Sequence, residues 1–256
     1  MKFLTLARDL QRRKARERQG LFVAEGVRSV EELLRSSLSV KGALLGPKLS
    51  ESPRGQALLA ALADRGIPMD SVGEKEFESA AETDSPQGIL AIGVVPERTL
   101  PGLPGAQTPS DPLRLLVLDG VQDPGNVGTI LRTAAALGVT ATFSLPGTVD
   151  LWNAKVVRSG MGAHFHHPCL TGTWDELDAF RRESQLEIWA ADAAGTVVDD
   201  LEPPNRLGLV VGNEGAGLSS QSRTRADRLV ALPIAATVES LNVAVAAGIL
   251  LYELRR

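Results

Sequence analysis

Three polar stretches of this chain, residues 126–132, 212–217 and 239–243, set Asn126, Arg132, Asn213, Glu214, Glu239, Ser240 and Asn242 among glycine turns downstream of apolar runs. Asparagine and serine are short hydrogen-bonding side chains, arginine is a fixed cation, and glutamate can pair with it. Together they can grip a phosphate or stabilise a developing oxyanion. Groups placed where strands end and helices begin face the crevice at the carboxyl edge of an open α/β sheet, where that class puts its ligands.

The elements that must position them can be read from the flanking residues. In LRLLVLDGVQDPGNVGTILRTAAALGV, residues 113–139, the run 113–118 is apolar apart from Arg114 and ends in Asp119-Gly120, as a strand buried on both faces of a parallel sheet does. Pro124, Gly125 and Gly128 supply turn geometry, and the alanine-rich stretch 129–137 predicts a helix that stops at Gly138. Asn126 then lies in the loop and Arg132 near the first helical turn; the bland alternative is that Asn126 caps the helix and Arg132 is simply solvated. RLGLVVGNEGAGL repeats the pattern, with a strand at 207–211 and then Gly212, Gly215 and Gly217 around Asn213 and Glu214. The glycines either let a ligand approach the backbone or make an ordinary flexible turn. The pattern is neither GxGxxG nor a phosphate loop, which argues against a dinucleotide-dependent enzyme. In VALPIAATVESLNVAVAAGILLYELRR a short strand near 230–232 leads through a loop to a helix, with Ser240 or Glu239 as its cap. Residues 241–251 are apolar nearly all round, so that helix belongs in the core or in a subunit interface.

Taken together, the segments resemble the SpoU/TrmH-type methyltransferases, the ribose-methylating branch of the SPOUT class of RNA methyltransferases. Motif one of that family is carried by Asn126, Gly128 and Arg132, motif two by Gly212, Asn213, Glu214 and Gly217, and motif three by Pro233, Ser240, Leu241 and Asn242. KVVRSGMGAH, residues 155–164, looks like the family's stretch between motifs one and two. One departure is Ala236, where relatives usually carry glycine three residues after the proline.

The resemblance implies an α/β fold: a C-terminal knotted (trefoil) parallel-sheet methyltransferase domain, with a smaller N-terminal α/β/α domain. It also implies a homodimer built through the knot region. The reaction implied is transfer of a methyl group from S-adenosylmethionine to a ribose 2′-hydroxyl of RNA, with Val211, Gly212, Asn213, Gly217, Leu232, Ile234 and Leu241 contacting the cofactor. Arg132 is the residue the family uses to activate the hydroxyl. Asn126 and Ser240 would hold Arg132 and the ribose, Glu214 would anchor Arg132 or the neighbouring subunit's arginine, and Asn242 would fix the loop. A guanidinium is an awkward general base: lowering its pKa by about five units costs roughly 7 kcal/mol. A charged Arg132 that grips the adjacent phosphate and stabilises the alkoxide avoids that cost.

The 256 residues, 43% of them apolar, suit two domains. Residues 97–112, ERTLPGLPGAQTPSDP, read as an interdomain linker, which leaves 1–96 as an RNA substrate-binding domain and 113–256 as the methyltransferase domain. In the first part, strand ends fall at 22–26, 42–46 and 89–95 and helices at 27–36 and 56–65. FVAEGVRSVEELL resembles the ribosomal-protein-like substrate-binding domain that precedes many SpoU catalytic domains. A net charge of −4 argues against a generally sticky nucleic-acid binder. Even so, Lys2, Arg8, Arg12, Arg13, Lys14, Arg16 and Arg18 crowd the start of the chain and could contact phosphates, or else form a solvated basic helix. Aromatics make up 4% of residues, which favours shape and backbone recognition over base stacking.

Cys169 is the only cysteine, so an intrachain disulfide is impossible and a reducing compartment is expected. His164, His166, His167 and Cys169 lie close in sequence, but strand alternation would split the histidines between two faces, so no metal is expected. With neither a signal peptide nor a long apolar span, a cytoplasmic location and no membrane partner are expected. The extra N-terminal domain favours ribosomal RNA, 23S in particular, over transfer RNA, whose enzymes usually lack such a module. The alternatives are a transfer-RNA enzyme and a catalytically inactive RNA-binding relative.

Overall fold

The structure is a computed structural model that describes residues 2–235 and 237–255; Ala236, the departure from motif three, lies outside them. By their contacts the residues form two units, one from Met1–Glu97 with Asp150–His166 and one from Arg98–Val149 with His167–Arg256.

The first unit contains α1 (Lys2–Leu10), α2 (Arg13–Gln19), β1 (Leu21–Glu25), α3 (Val27–Arg35), β2 (Val40–Leu45), α4 (Pro53–Asp64), β3 (Met69–Ser71), α5 (Glu74–Glu78) and β4 (Ile89–Val94). The strands make a sheet in the order β1-β4-β2-β3, in which only β2 and β3 run parallel. Helix α1 buries Phe3, Leu4, Ala7 and Leu10, one stripe at helical spacing, against Leu21, Val23, Leu44, Leu90 and Ile92 on one sheet face. Helix α3 buries a similar stripe, Val27, Val30, Leu33 and Leu34, and packs on β1 and β4.

The second unit holds β5 (Leu113–Asp119), α6 (Pro124–Ala136) and β6 (Ala141–Ser144). The chain then passes through α7 (Ala154–Ser159), which groups with the first unit, and returns as β7 (Cys169–Thr171), α8 (Trp174–Ser184), β8 (Glu187–Val197), β9 (Arg206–Gly212), α9 (Ser220–Arg225), β10 (Arg228–Ala231) and α10 (Val243–Glu253). Six parallel strands lie in the order β10-β8-β9-β5-β6-β7. Every residue of β5 except Arg114 is buried, as expected of a strand covered on both faces. Leu113, Leu115 and Val117 meet Phe143, Trp174, Leu177, Phe180 and Val210 on one face, while α10 packs against α6 and β9.

Two boundaries differ from the sequence reading. Helix α6 begins at Pro124, five residues before the predicted start, because Asp123 caps it by accepting from the Asn126 N–H at 2.8 Å and Pro124 sits where a helix needs no N–H. Helix α10 is capped by neither Ser240 nor Glu239: the Asn242 Oδ1 accepts from the N–H groups of Ala244 (2.9 Å) and Val245 (3.3 Å).

The stretch read as a linker is packed. Leu100, Leu103 and Ala106 are buried in the second unit's core. The buried Arg206 guanidinium donates to the carbonyls of Gly105, Ala106, Thr108 and Asp111, and to Ser184. Four carbonyls of this coil converging on one guanidinium hold it in place of a helix or a sheet ladder. The excursion Asp150–His166 is likewise not part of the second unit, because Trp152 and Phe165 pack on Phe22 of β1.

Among the described residues no group of His, Cys, Asp or Glu is arranged to hold a metal. His164 lies against Trp152 with ring centroids 4.6 Å apart, whereas the buried His167 bonds through Nε2 to the Thr142 hydroxyl at 2.8 Å. Burial, helped by the nearby Arg98 charge, pushes the His167 imidazole down to about 4. The unfolded chain therefore takes up a proton near its ordinary value while the folded one stays neutral, so stability falls as pH drops from 6.5 to about 4. The loss attributable to His167 should reach about 3 kcal/mol. The ring-proton resonance of His167 should titrate near 4, and His167→Gln should flatten the acid limb of the melting curves; a midpoint above 6 would contradict this.

Candidate active site

Strands β5 and β9 end level with one another, Asp119 opposite Gly212, so their following loops meet at the carboxyl edge of the sheet. The Asn213 side-chain N–H₂ donates to the Gly120 carbonyl at 2.8 Å and fastens the two loops together. The loop after β9 then closes on itself. Asn213 and Gly217 exchange backbone hydrogen bonds of 2.9 and 3.0 Å, and the Asn213 Oδ1 accepts from the N–H groups of Gly215 and Ala216. A Cβ on Gly212 would stand 2.4 Å from the Gly217 carbonyl carbon, so glycine there serves the loop's own backbone.

Glu214 reaches from this loop to the start of α6. Its carboxylate accepts from the backbone N–H groups of Gln122 (3.2 Å) and Asp123 (3.1 Å) and from the Asn126 side chain (3.1 Å). The Asn126 Oδ1 in turn accepts from the Asn242 side chain at 3.0 Å, at the cap of α10. Desolvation pulls the Glu214 carboxyl upward, but the hydrogen bonds from Asn126, its own N–H, Gln122 and Asp123 outweigh it and hold the group below the usual glutamate range. One anion thus joins three loops that are separate in sequence.

Beside this network opens a cavity of about 470 Å³, within the range of small-molecule sites. Its walls are the end of β9 with the following loop (Val211, Gly212, Asn213, Glu214, Gly215 and Gly217), the exit of β10 (Leu232, Pro233 and Ile234), and Glu239, Ser240 and Leu241 leading to α10. All seven residues expected to touch a cofactor line it. The sequence reading missed the opposite wall, residues Ala191, Asp192, Ala193 and Gly195 of β8. The one signal there was the loss of apolar alternation across ADAAG. Apolar surface from Val211, Leu232, Leu241 and Leu250, with Glu239 and no lysine or arginine among the lining residues, suits a ligand with a flat apolar part and positive charge.

The five residues expected to be catalytic do not all converge. Asn126, Glu214 and Asn242 form the network and Ser240 lines the cavity, but Arg132 does not line it. Arg132 lies six residues beyond Asn126 on α6, in the helix interior and not in its first turn, about 9 Å further along the axis. It is exposed, and its side chain has no ion pair or hydrogen bond among the described residues. Glu214 therefore anchors the loop before α6, and not Arg132 of the same chain.

In the first unit, Lys2, Arg8, Arg12, Arg18 and Lys41 line a groove of about 740 Å³, with Asp9 pairing Arg12 and Arg18. Arg13, paired with Glu17, and Lys14 are exposed. Arg16 departs from the expected set: its buried guanidinium pairs with Asp150 at 2.6 Å and donates to the carbonyls of Leu10 and Gln11, which leaves nothing for a phosphate.

Comparison with known proteins agrees with this geometry. The SpoU rRNA Methylase family matches residues 114–252, and an MRM3-like substrate binding domain matches residues 4–91. The chain is 33% identical over 249 residues to the 23S rRNA (guanosine(2553)-2'-O)-methyltransferase RlmP of Bacillus subtilis, covering 97% of this chain and 94% of that one. Among solved structures, the AdoMet-bound rRNA methyltransferase from Sinorhizobium meliloti superposes with a TM-score of 0.84 at 28% identity, covering 99% of this chain and 94% of that one. The SpoU methyltransferase AviRb from Streptomyces viridochromogenes in complex with AdoMet gives 0.86 at 26% identity, covering 100% and 97%. With its three motifs joined through Glu214 and Asn126 at the rim of one cavity, this chain belongs to the SpoU rRNA methylase family.

Proposed function

We propose that this protein transfers a methyl group from S-adenosylmethionine to a ribose 2′-hydroxyl of 23S ribosomal RNA. The observation that carries the reading is the hydrogen-bonded chain from Asn242 through Asn126 to Glu214, which builds the rim of a cavity suited to that cofactor. When bound, the cofactor supplies an electrophilic methyl group on a cationic sulfur. Leu232, Ile234 and Leu241 would hold its adenine by apolar surface and backbone groups, and the carboxylate-lined, lysine-free and arginine-free wall would suit its positive charge. Ser240 would hydrogen-bond the ribose beside it.

The hydroxyl oxygen would gain the methyl group as the methyl–sulfur bond breaks, leaving the cofactor as the neutral thioether S-adenosylhomocysteine, and would lose its proton. Among the described residues Arg132 makes no ion pair that would occupy its charge, so it serves as a cation: it grips the neighbouring phosphate and stabilises the oxyanion, while a phosphate oxygen or water takes the proton. Its distance from its own cavity supports a homodimer in which it acts at the partner's site. Val245, Ile249 and Tyr252 form an exposed apolar stripe on α10, 51%, 41% and 48% exposed, that a second copy would cover. The knotted path of the family belongs to this reading, supported by the loops after β9 and β10 opening on one cavity. The basic groove of residues 1–96 would track the RNA backbone, with residues 113–256 doing the chemistry. A reducing compartment such as the cytoplasm is the proposed setting, supported by the lone, buried Cys169; among the described residues no helix is long and apolar enough to cross a membrane.

The test is methyl transfer from labelled S-adenosylmethionine to separate pools of unmodified ribosomal and transfer RNA. Label should enter ribosomal RNA as an alkali-resistant dinucleotide; label in transfer RNA alone would overturn the substrate. Arg132→Ala should lower transfer about a thousandfold with cofactor binding intact, and mixing it with an inactive Ser240 variant should restore part of the activity if Arg132 works across the dimer. Glu214→Gln should cost about 1 kcal/mol at pH 7, given the exposure of the carboxylate. Because the native carboxyl is depressed, its contribution is full above the ordinary glutamate pKa and disappears as pH falls through the native one, so the two melting curves should converge in acid. Curves that stay parallel would contradict that role.

A further inference from the structure

Strand β8 pairs with β10 in two separate pieces. Arg228 and Leu229 lie opposite Trp189 and Ala190, but Val230 and Ala231 lie opposite Thr196 and Val197, so the five residues 191–195 have no partner on β10. Pairing of β8 with β9 also ends at Ala190. The extra residues swing out as an extended bulge whose Ala191, Asp192, Ala193 and Gly195 form one wall of the cavity. Gly195 returns the strand to the sheet, since a Cβ there would stand 2.5 Å from the Leu229 carbonyl carbon and the Val230 nitrogen.

A bulge of alanine and glycine has little packing to hold its shape. Asp192 supplies the hold in two ways. Its Oδ1 accepts from the Ala194 N–H at 2.9 Å and closes a local turn. Its Oδ2 pairs with Arg223 of α9, and the aspartate side chain is only 8% exposed, against 46% for the arginine. Arg223 also lies beside the motif-two loop, its Nη2 3.8 Å from the point where a Gly217 Cβ would stand. The pair therefore spans from the bulge to the helix that follows the motif-two loop.

We propose that Asp192 is a positioning residue that, clamped by Arg223, sets the distance between the β8 bulge and the motif-two loop and so fixes the width of the cofactor cavity. This rests on the cofactor reading of the cavity. The role is one of shape: the aspartate charge is already met by Arg223, so it does not select the sulfonium.

The test combines amide exchange with calorimetric binding on the whole protein. In the free protein, the Ala194 amide should exchange much faster in Asp192→Ala than in wild type, and Asp192→Asn should retain that protection because its amide oxygen can still close the turn. Measured well below the melting temperature, Asp192→Ala should weaken S-adenosylmethionine and S-adenosylhomocysteine alike by roughly tenfold, with kcat at saturating cofactor nearly preserved. Arg223→Lys, which keeps the cation, should lose less affinity than Arg223→Met. Unchanged affinity in Asp192→Ala would overturn the proposal. So would a loss confined to S-adenosylmethionine, which would make Asp192 a direct partner of the sulfonium. Wild type that binds neither compound would overturn the cofactor reading itself, whatever the exchange of Ala194 shows.

Discussion

The arrangement of the catalytic edge depends on a single carboxylate facing unpaired N–H groups. The loop entering α6 leaves the amides of Gln122 and Asp123 with no partner in a helix or a ladder, and Glu214 accepts from both. The same anion takes a bond from Asn126, which frees the Asn126 oxygen to receive Asn242. A glutamine in place of Glu214 would turn an N–H₂ toward N–H groups, and an aspartate would be one methylene short. Acidity and length are both set by what surrounds the residue, and the depressed proton affinity of the group follows from the same contacts.

Parallel strands make this economical. Because β5 and β9 run side by side in the same direction and finish at the same level, two turns far apart in sequence emerge together. Each then needs only short side chains to reach the other, and asparagine appears at each junction: Asn213 to Gly120, Asn126 to Glu214, Asn242 to Asn126. The amide offers a donor and an acceptor at once, so each asparagine can pass the chain of bonds onward where an ionised aspartate, which only accepts, would end it.

Much of this was legible in the residues. Continuous apolar runs marked β5 and β9, and the three polar stretches identified the side chains that meet. Most of what escaped depended on distance in sequence, the start of α6 being the local exception. The start of α6 was hidden by Gly125 and Gly128, whose turn propensity is overridden once Asp123 and Pro124 set the first helical turn. The packing of residues 98–112 could not be seen because its cause, Arg206, lies about a hundred positions away and satisfies carbonyls, which carry no sequence identity. The burial of Arg16 likewise depends on Asp150. The wall formed by residues 191–195 arises from a shift in strand pairing, and a run of small residues does not announce it.

The excursion Asp150–His166 changes what counts as a module in this chain. Phe22 of β1 is covered by Trp152 and Phe165, and Arg16 is neutralised by Asp150, so the N-terminal unit completes its own core with residues borrowed from the middle of the sequence. The backbone crosses between the units three times, and neither is a contiguous cassette. Recombination at residues 97–112 would carry away a domain with an open aromatic face and an unpaired buried arginine. Exchange of the N-terminal unit among such proteins must move two segments together, which ties the inheritance of that unit to the inheritance of the middle of the sequence.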